Sequence, residues 1–139
     1  GEKQKQLENC IEKMGLSERV KLAGVTNNVK DVLIKSDLFV MTSNFEGMPN
    51  ALIEAMATGL PCISTDCPTG PSDLINNKSN GLLIKMNSVD ECVVAMEYMI
   101  NNQFDAWKMG EKAHLFIKEH YRCENIVKRL VAFSKEYLY

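Results

Sequence analysis

Two glutamates, Glu46 and Glu54, are the residues whose type and spacing most directly suggest chemistry in this sequence. Glu46 lies in the segment SNFEGMP at residues 43–49, where Gly47 permits either a close approach of another group to the backbone or an unusual backbone dihedral angle. Glu54 interrupts an otherwise apolar helical pattern, and a carboxylate there is costly unless it is exposed or has partners. Each glutamate could bind a ligand. Each could equally be an ordinary charge, Glu54 on a solvated rim and Glu46 as a complement to a helix dipole.

The helix that carries Glu54 is predicted over Pro49–Thr58, because proline is favoured at a helix start. The free N–H groups of its first turn, from about Met48, Asn50 and Ala51, are expected to point toward the preceding loop. Together with the positive end of the helix dipole they form an anion site suited to a diphosphate. Glu54 lies one turn after Asn50, and helical side chains lean toward the N-terminus, which aims this carboxylate at the loop.

Short apolar strands alternate with helices around this segment. Strands are predicted over Val20–Ala23, Asp37–Thr42, Pro61–Thr65 and Leu82–Ile84, and helices over Lys5–Met14, Val29–Lys35, Pro49–Thr58, Val89–Asn101, Phe104–Glu119 and Cys123–Tyr137, with Ser72–Ile75 as a turn or short helix. This alternation predicts an α/β fold, a Rossmann-like parallel sheet with helices on both faces and a helical C-terminus. Ligands of such sheets bind beyond the carboxyl ends of the strands, in the segments 24–28, 43–48 and 66–71.

Four residues mark the ends of predicted helices. Gly59 is placed to end the helix that carries Glu54. Asn28 is a candidate N-cap for the helix that follows it, and Ser88 with Glu91 forms a capping box.

Length and composition describe an ordinary globular protein. The 139 residues fit one domain, 1–139, with 103–139 as its terminal helices, and 45% of them are hydrophobic. A formal charge of −2 gives no reason to expect nucleic acid as a partner. No apolar stretch approaches the roughly 20 residues that span a bilayer, and no secretory signal is present, which indicates a cytoplasmic protein. The chain starts without methionine, which suggests a fragment or a processed protein.

Five cysteines occur at irregular spacings without a C-x-x-C pair, namely Cys10, Cys62, Cys67, Cys92 and Cys123. Reduced thiols are the favoured interpretation, and Cys62 with Cys67 as a disulfide or metal pair is the alternative. No Asp-x-Asp motif is present to hold a metal ion.

The stretch from Ser43 to Pro61 resembles a known family. Its pattern, S-x-x-E-G-x-P-N-A-x-x-E-A-M-A-x-G-x-P, contains two glutamates separated by seven residues. It is similar to the E-x7-E motif of retaining glycosyltransferases of the GT-B fold, in particular glycosyltransferase family 4. The segments VKLAG at 20–24, DCPTGPSDLI at 66–75 and GLLI at 81–84 extend the resemblance to about Leu7–Lys118. It identifies the chain as a truncated C-terminal half, the donor-binding domain, of a GT-B glycosyltransferase.

The resemblance implies a role for each matching residue. Glu54 would bind the ribose hydroxyls of the nucleotide, and Glu46, the catalytic candidate, would contact the transferred sugar. The backbone around them would line the sugar and the diphosphate, and the loop after the first predicted strand would lie near the base; these residues are Gly47, Met48, Pro49, Asn50, Ala51, Gly24, Val25 and Thr26. Thr69 and Gly70 lie at the same predicted sheet edge, where they either contact the ligand or form a plain turn.

The implied reaction moves a sugar, with retention of configuration, from a nucleotide-sugar to a glycan or lipid-linked acceptor. UDP-sugars are favoured because the loop Cys67–Pro71, with the sequence CPTGP, resembles that of transferases of bacterial surface polysaccharides, and GDP-mannose stays open. No metal and no other cofactor is expected. An N-terminal Rossmann-like domain, which would bind the acceptor, is the expected partner, and through it or the acceptor the protein could sit at the inner face of the membrane. The phosphate-binding cations of the family fall outside this chain.

Two further hypotheses stay open. One is a non-catalytic nucleotide-binding or structural module of the same fold, although the presence of both glutamates favours the enzyme. The other is a GT-B-like epimerase or phosphorylase, which the Ser43–Pro61 pattern fits poorly. The isolated chain is expected to bind donor weakly and not to turn over.

Overall fold

The structure, a computed structural model, describes residues 2–122, 124–128 and 131–132. Within them lies a parallel sheet of three strands, β1 (Phe39–Met41), β2 (Cys62–Thr65) and β3 (Leu82–Ile84), in the order β1-β2-β3. All four residues of β2 are buried, as expected for a central strand that is covered on both faces.

Helices connect and cover these strands. They are α1 (Gln4–Lys13), α2 (Val29–Ile34), α3 (Asn50–Ala57), α4 (Pro71–Leu74), α5 (Val89–Asn101) and α6 (Gln103–His120). Helix α3 links β1 to β2, and α4 lies between β2 and β3. The predicted helix Cys123–Tyr137 is helical at 124–128 and 131–132, and its remaining residues lie outside the described residues. Of the helices described, none has the length and apolar character needed to cross a membrane.

Two apolar clusters cover the two faces of the sheet. Successive residues of β2 alternate between them, with Cys62 in one cluster and Ile63 in the other. The first cluster joins the sheet to α3 and α6 through residues such as Leu52 and Ala113. The second joins the sheet to α5 through residues such as Ala95. The predicted fold class, a parallel α/β sheet with helices on both faces, is therefore confirmed.

The strand predicted at Val20–Ala23 is wrong, because this segment is irregular. An extended segment makes no hydrogen bonds of its own and needs a neighbouring strand. Nothing in the described part of the chain pairs with it, and the N–H of Val20 instead donates to the Leu16 carbonyl oxygen at 2.8 Å. Val20 and Leu22 consequently remain 41% and 40% exposed.

The start of α5 confirms half of the predicted capping box. The N–H of Glu91 donates to Ser88 Oγ at 3.2 Å. The Glu91 carboxylate, however, accepts the backbone N–H of Lys85 at 2.8 Å and lies 3.0 Å from Lys85 Nζ. These hydrogen bonds lower the pKa of Glu91. Asn28 does occupy the N-cap position of α2, but its side chain makes no capping hydrogen bond.

The end of α3 is tightly defined and packs on α6. Gly59 adopts a φ of +79°, its N–H donates to the Met56 carbonyl oxygen, and the N–H of Leu60 donates to that of Ala55. This is a Schellman arrangement, which confirms the predicted helix end. A Cβ placed on Gly110 of α6 would come within 2.1 Å of the Gly59 carbonyl oxygen. Only a glycine at this position lets the two helices approach so closely.

Candidate functional site

Two loops leave the same edge of the sheet and are bound to each other. The acidic loop, residues 42–49, follows β1, and the turn loop, residues 66–70, follows β2. Because β1 and β2 are parallel neighbours, their carboxyl ends meet at one edge. The hydroxyl of Thr65, the last residue of β2, donates to the Ser43 carbonyl oxygen at 2.5 Å. The hydroxyl of Thr69 donates to the Glu46 carbonyl oxygen at 2.5 Å.

Gly70 brings the turn loop directly beneath the acidic loop. It has a φ of +97°, in the left-handed region that favours glycine. A Cβ at Gly70 would lie 2.8 Å from Pro49 Cδ and 3.1 Å from the Gly47 carbonyl oxygen. Glycine is therefore required here by both backbone conformation and space. The structure thus places Glu46, Gly47, Pro49, Thr69 and Gly70 together.

Gly47 differs from Gly70. Its φ is not positive, and a Cβ at this position would meet nothing within 4 Å. The sequence left two reasons for a glycine at this position, a positive φ or a close approach to the backbone. The first reason is excluded. Open space over the backbone remains, which is what a closely approaching ligand would need.

The Glu46 carboxylate is held by one hydrogen bond. Ser43 Oγ donates to Glu46 Oε1 at 2.7 Å, and both residues are half-buried. No cation and no second donor reaches this carboxylate from the described residues. One carboxylate oxygen is therefore fixed by the protein, while the other can accept a hydrogen bond from a ligand.

The start of α3 corrects one detail of the predicted anion site. Pro49 has φ −78° and ψ 74°, and the N–H of Asn50 donates to the Met48 carbonyl oxygen at 2.8 Å. This is an inverse γ-turn, so the expectation that the Asn50 N–H is free is wrong. The N–H groups of Ala51 and Leu52 have no acceptor within the described part of the chain. These groups supply the partial positive charge at the N-terminus of the helix.

Glu54 lies on the solvent-facing side of α3. It is exposed, as are Asn50 and Ala51 on the same side of the helix. Among the residues the structure describes, no hydrogen bond or ion pair reaches the side-chain carboxylate of Glu54. Its carboxylate is therefore available to a ligand, and exposure removes the cost of placing a charge in an apolar helix.

The third predicted segment is not joined to this site. Gly24 has a φ of +69°, Val25 is 98% exposed, and Thr26 Oγ1 accepts the N–H of Asn28 at 3.0 Å. In the part of the chain that is described, no hydrogen bond links residues 24–26 to the acidic loop or the turn loop.

Two cavities lie away from these loops. A cavity of about 570 Å³ lies at the amino ends of the strands, where Leu38 precedes β1 and Pro61 precedes β2, and Trp107 lines its mouth, 58% exposed. A second one, about 490 Å³, runs along the outer edge of β3. These two cavities are not lined by Glu46, Glu54 or the turn loop, so cavity volume and the placement of polar groups indicate different ends of the sheet.

The cysteines of the described residues form neither a disulfide nor a metal site. Cys10, Cys62, Cys67 and Cys92 are free thiols, so a Cys62–Cys67 disulfide does not form. Burial raises the pKa of Cys62 to about 12. Within the described ranges, no group of three or more His, Cys, Asp or Glu side chains could hold a metal ion.

The sequence analysis assigned no role to two hydroxyl side chains, those of Ser43, which bonds Glu46, and Thr65, which bonds the Ser43 carbonyl oxygen. Ser43 appeared only as a position in the resemblance, and Thr65 only as the end of a strand. The spacing of Ser43 and Glu46, three positions apart in one loop, is a signal that could have suggested their contact. The Thr65 contact has no such signal, because it depends on the register of β1 and β2.

Comparison with known proteins gives a family match over most of the chain. The family model described as Glycosyl transferases group 1 matches residues 1–119, which include all the candidate site residues.

Individual relatives are similar over the same region. An uncharacterized glycosyltransferase of Haemophilus influenzae is 32% identical over 128 residues, covering 92% of this chain and 36% of the relative. The UDP-Gal:α-D-GlcNAc-diphosphoundecaprenol α-1,3-galactosyltransferase of Escherichia coli is 41% identical over 83 residues, 60% of this chain and 21% of the relative. A crystal structure of an S. aureus TarM mutant in complex with fondaparinux, α-GlcNAc-glycerol and UDP matches with a TM-score of 0.87 and 31% identity. That match covers 94% of this chain and 26% of the TarM chain, so this chain spans only a minor part of each relative.

Proposed function

The chain belongs to the family of glycosyl transferases group 1 and has the fold of a GT-B glycosyltransferase C-terminal domain, and from this premise we propose its function. It is the donor-binding part of a retaining glycosyltransferase of glycosyltransferase family 4. The enzyme moves a sugar from a UDP-sugar to a glycan or lipid-linked acceptor in bacterial surface polysaccharide synthesis.

One observation carries the proposal. The acidic loop is bound to the turn loop at the carboxyl edge of the sheet, directly before a helix whose Ala51 and Leu52 N–H groups are free. Glu46 lies in that loop and Glu54 on that helix, and neither carboxylate has a charged partner among the described residues. A nucleoside diphosphate sugar offers a diphosphate for the N–H groups and hydroxyls at both ends for the carboxylates.

The proposed roles follow from this arrangement. Glu54 accepts hydrogen bonds from the ribose hydroxyls. Glu46 contacts the transferred sugar, and Gly47, Met48 and Pro49 line the sugar and the diphosphate, where the open face of Gly47 leaves room.

The charge distribution suits sugar transfer. Positive charge develops at the anomeric carbon in the transition state, and negative charge develops on the departing diphosphate. The Glu46 carboxylate faces the positive charge at the anomeric carbon. The N-terminus of α3, which begins with Asn50 and Ala51, faces the negative charge on the diphosphate. Fixed groups of this kind stabilise a transition state because they need no reorganisation during the reaction.

Two relatives support UDP as the nucleotide. The TarM structure contains UDP, and the E. coli relative is named for a UDP-Gal donor and a diphosphoundecaprenol-linked acceptor. The base then lies near Gly24, Val25 and Thr26, and Thr69 and Gly70 support the sugar side of the site. GDP-mannose is the alternative donor. The reaction is proposed to need no metal, and an N-terminal Rossmann-like domain to bind the acceptor.

Nucleotide titration tests the proposal. Isothermal titration calorimetry of the chain with UDP and with GDP is expected to show weak, saturable binding of UDP. Glu54→Ala removes acceptors for the ribose hydroxyls and is expected to weaken binding about tenfold, because hydrogen bonds to charged groups are worth about 1.5–3 kcal/mol.

Glu97→Ala is the matched control, because Glu97 is also an exposed glutamate on a helix, α5, but lies away from the site. It is expected to leave UDP affinity unchanged. No saturable signal with either nucleotide would favour the alternative, a structural module that kept the fold without the donor site.

A further inference from the structure

We propose that Ser43 is a positioning residue for Glu46, holding its carboxylate in the orientation that meets the donor sugar. The proposal rests on the proposed function of Glu46. By orienting Glu46, Ser43 makes the acidic loop bind a nucleotide-sugar more tightly than a free nucleotide.

The contact itself is specific. Ser43 Oγ donates to Glu46 Oε1 at 2.7 Å, within the normal range for a hydroxyl and a carboxylate. Both residues are half-buried, so the bond is shielded from competing water more than it would be on an exposed loop. With one oxygen held, the carboxylate plane is restricted and Oε2 is left as the atom that can accept from a ligand.

The donor is fixed to the sheet. The Ser43 carbonyl oxygen accepts the hydroxyl of Thr65, which is 3% exposed and ends the central strand. The position of Ser43 is therefore set by the register of β1 and β2, which pairs Met41 with Ser64 just before these residues. A rigid strand end positions a site residue more closely than a loop could.

The other side of Glu46 is also held. Thr69 Oγ1 donates to the Glu46 carbonyl oxygen, and Thr69 has a φ of +62°, which a β-branched residue rarely adopts. Such a conformation persists only where the surroundings enforce it. The close fit of Gly70 against Pro49 supplies that constraint. Backbone and carboxylate of Glu46 are thus held by separate hydroxyl groups.

Two roles for Ser43, orienting Glu46 or only stabilising the loop, predict different results when its hydroxyl is removed. If Ser43 only stabilises the loop, its removal weakens binding of nucleotide and nucleotide-sugar alike, because the start of α3 moves with the loop. If Ser43 orients Glu46, the nucleotide still binds through Glu54 and the helix start. Only the additional affinity that the sugar provides is then lost.

Ligand-observed NMR titration of the chain separates these cases. The measured quantity is the sugar increment, the ratio of the Kd of UDP to the lowest Kd among UDP-glucose, UDP-galactose and UDP-N-acetylglucosamine. Ser43→Ala is expected to reduce this increment at least about tenfold, the loss of one hydrogen bond to a charged group. The Kd of UDP should stay within about twofold. Ser43→Thr retains a hydroxyl and is expected to retain most of the increment.

Ser36→Ala is the matched control, because the Ser36 hydroxyl also bonds within its own segment, to the Val32 carbonyl oxygen at 2.8 Å. Ser36 lies at the opposite end of the sheet from the candidate site. Its replacement is expected to change neither the Kd of UDP nor the Kd of the UDP-sugars. Thermal unfolding by circular dichroism identifies variants that fail to fold. If the Ser43→Ala variant fails to fold, Ser43→Cys takes its place, because cysteine is nearly isosteric with serine but is a weaker hydrogen-bond donor.

Two outcomes overturn the inference. An unchanged sugar increment in a folded Ser43→Ala variant does so, and so does an equal weakening of UDP and UDP-sugar. Absence of any increment in the unaltered chain also counts against it, because Glu46 would then not contact the sugar. If the unaltered chain binds no UDP at all, the proposed function itself fails, which is a different result.

Discussion

At the scale of single residues, Cys62 shows how strongly the interior of the sheet acts on an ionisable group. It is fully buried in β2, and its thiol donates to the Leu60 carbonyl oxygen at 3.1 Å. Burial raises its pKa from an ordinary value of 9.0 to about 12, because a thiolate would lose its hydration there. Cys10, by contrast, is an exposed thiol on α1.

The pH dependence of stability follows from this shift. The pKa of Cys62 is higher in the folded than in the unfolded chain, so its contribution to stability is complete below about pH 9 and is lost as the pH rises toward about 12. Replacing Cys62 with Ala should lower Tm at neutral pH by opening a small cavity. It should also make the decline of Tm above pH 9 shallower than in the unaltered chain.

Tm measured by circular dichroism between pH 7 and pH 11 checks this prediction. Parallel declines for the Cys62→Ala variant and the unaltered chain would show that Cys62 ionises as readily in the folded state as in the unfolded one.

The sequence singles out the candidate site residues at this scale, but it does not show how they are held. Gly47 and Gly70 are both predicted to line the site. A Cβ at Gly47 would meet nothing within 4 Å, whereas a Cβ at Gly70 would lie 2.8 Å from Pro49 Cδ. The free N–H groups also belong to Ala51 and Leu52 rather than to Asn50. These differences depend on contacts between separate segments, which local sequence signals do not contain.

At the scale of secondary structure, the position of α3 depends on α6. Ala55 and Met56 of α3 are fully buried against the sheet and α6. His114 Nδ1 of α6 lies 2.7 Å from the Ala57 carbonyl oxygen, at the end of α3. Helix α6 therefore holds the helix whose other end forms the candidate anion site.

Gly110→Ala tests this packing. The added Cβ would overlap the Gly59 carbonyl oxygen, which is backbone and cannot move aside as a flexible side chain could. Separation of the two helices should cost about 1–3 kcal/mol, partly offset by the better helix propensity of alanine, about 1 kcal/mol. We expect a lower Tm in thermal unfolding.

Gly47→Ala is the control for stability, because its Cβ would meet nothing within 4 Å and its φ is not positive. It should unfold at nearly the temperature of the unaltered chain. A Gly110→Ala variant that was as stable as the unaltered chain would mean that α3 and α6 are less closely packed than the structure shows.

Element boundaries were predicted well where the chain carries its own signals. Gly59 ends α3, and the bounds of α5 are those predicted. The strand at Val20–Ala23 failed because a strand requires a neighbour as well as apolar residues. The Glu91 carboxylate accepts a hydrogen bond from the backbone N–H of Lys85, a partner that the capping-box pattern does not include.

At the scale of the whole molecule, two ends of one sheet compete as binding sites. The carboxyl end has the joined loops, the free N–H groups and the two glutamates. The amino end has the larger apolar cavity beside Trp107. The placement of charged and polar groups favours the carboxyl end for the proposed nucleotide-sugar, whereas the cavity beside Trp107 favours the other end.

The most direct test is to map where UDP binds, by following backbone amide signals of the ¹⁵N-labelled chain in two-dimensional NMR spectra. The account predicts that the signals of Gly47, Ala51, Thr69 and Gly70 shift and saturate together as UDP is added. Shifts confined to the cavity around Gly59 and Trp107, at the opposite end of the sheet, would contradict it.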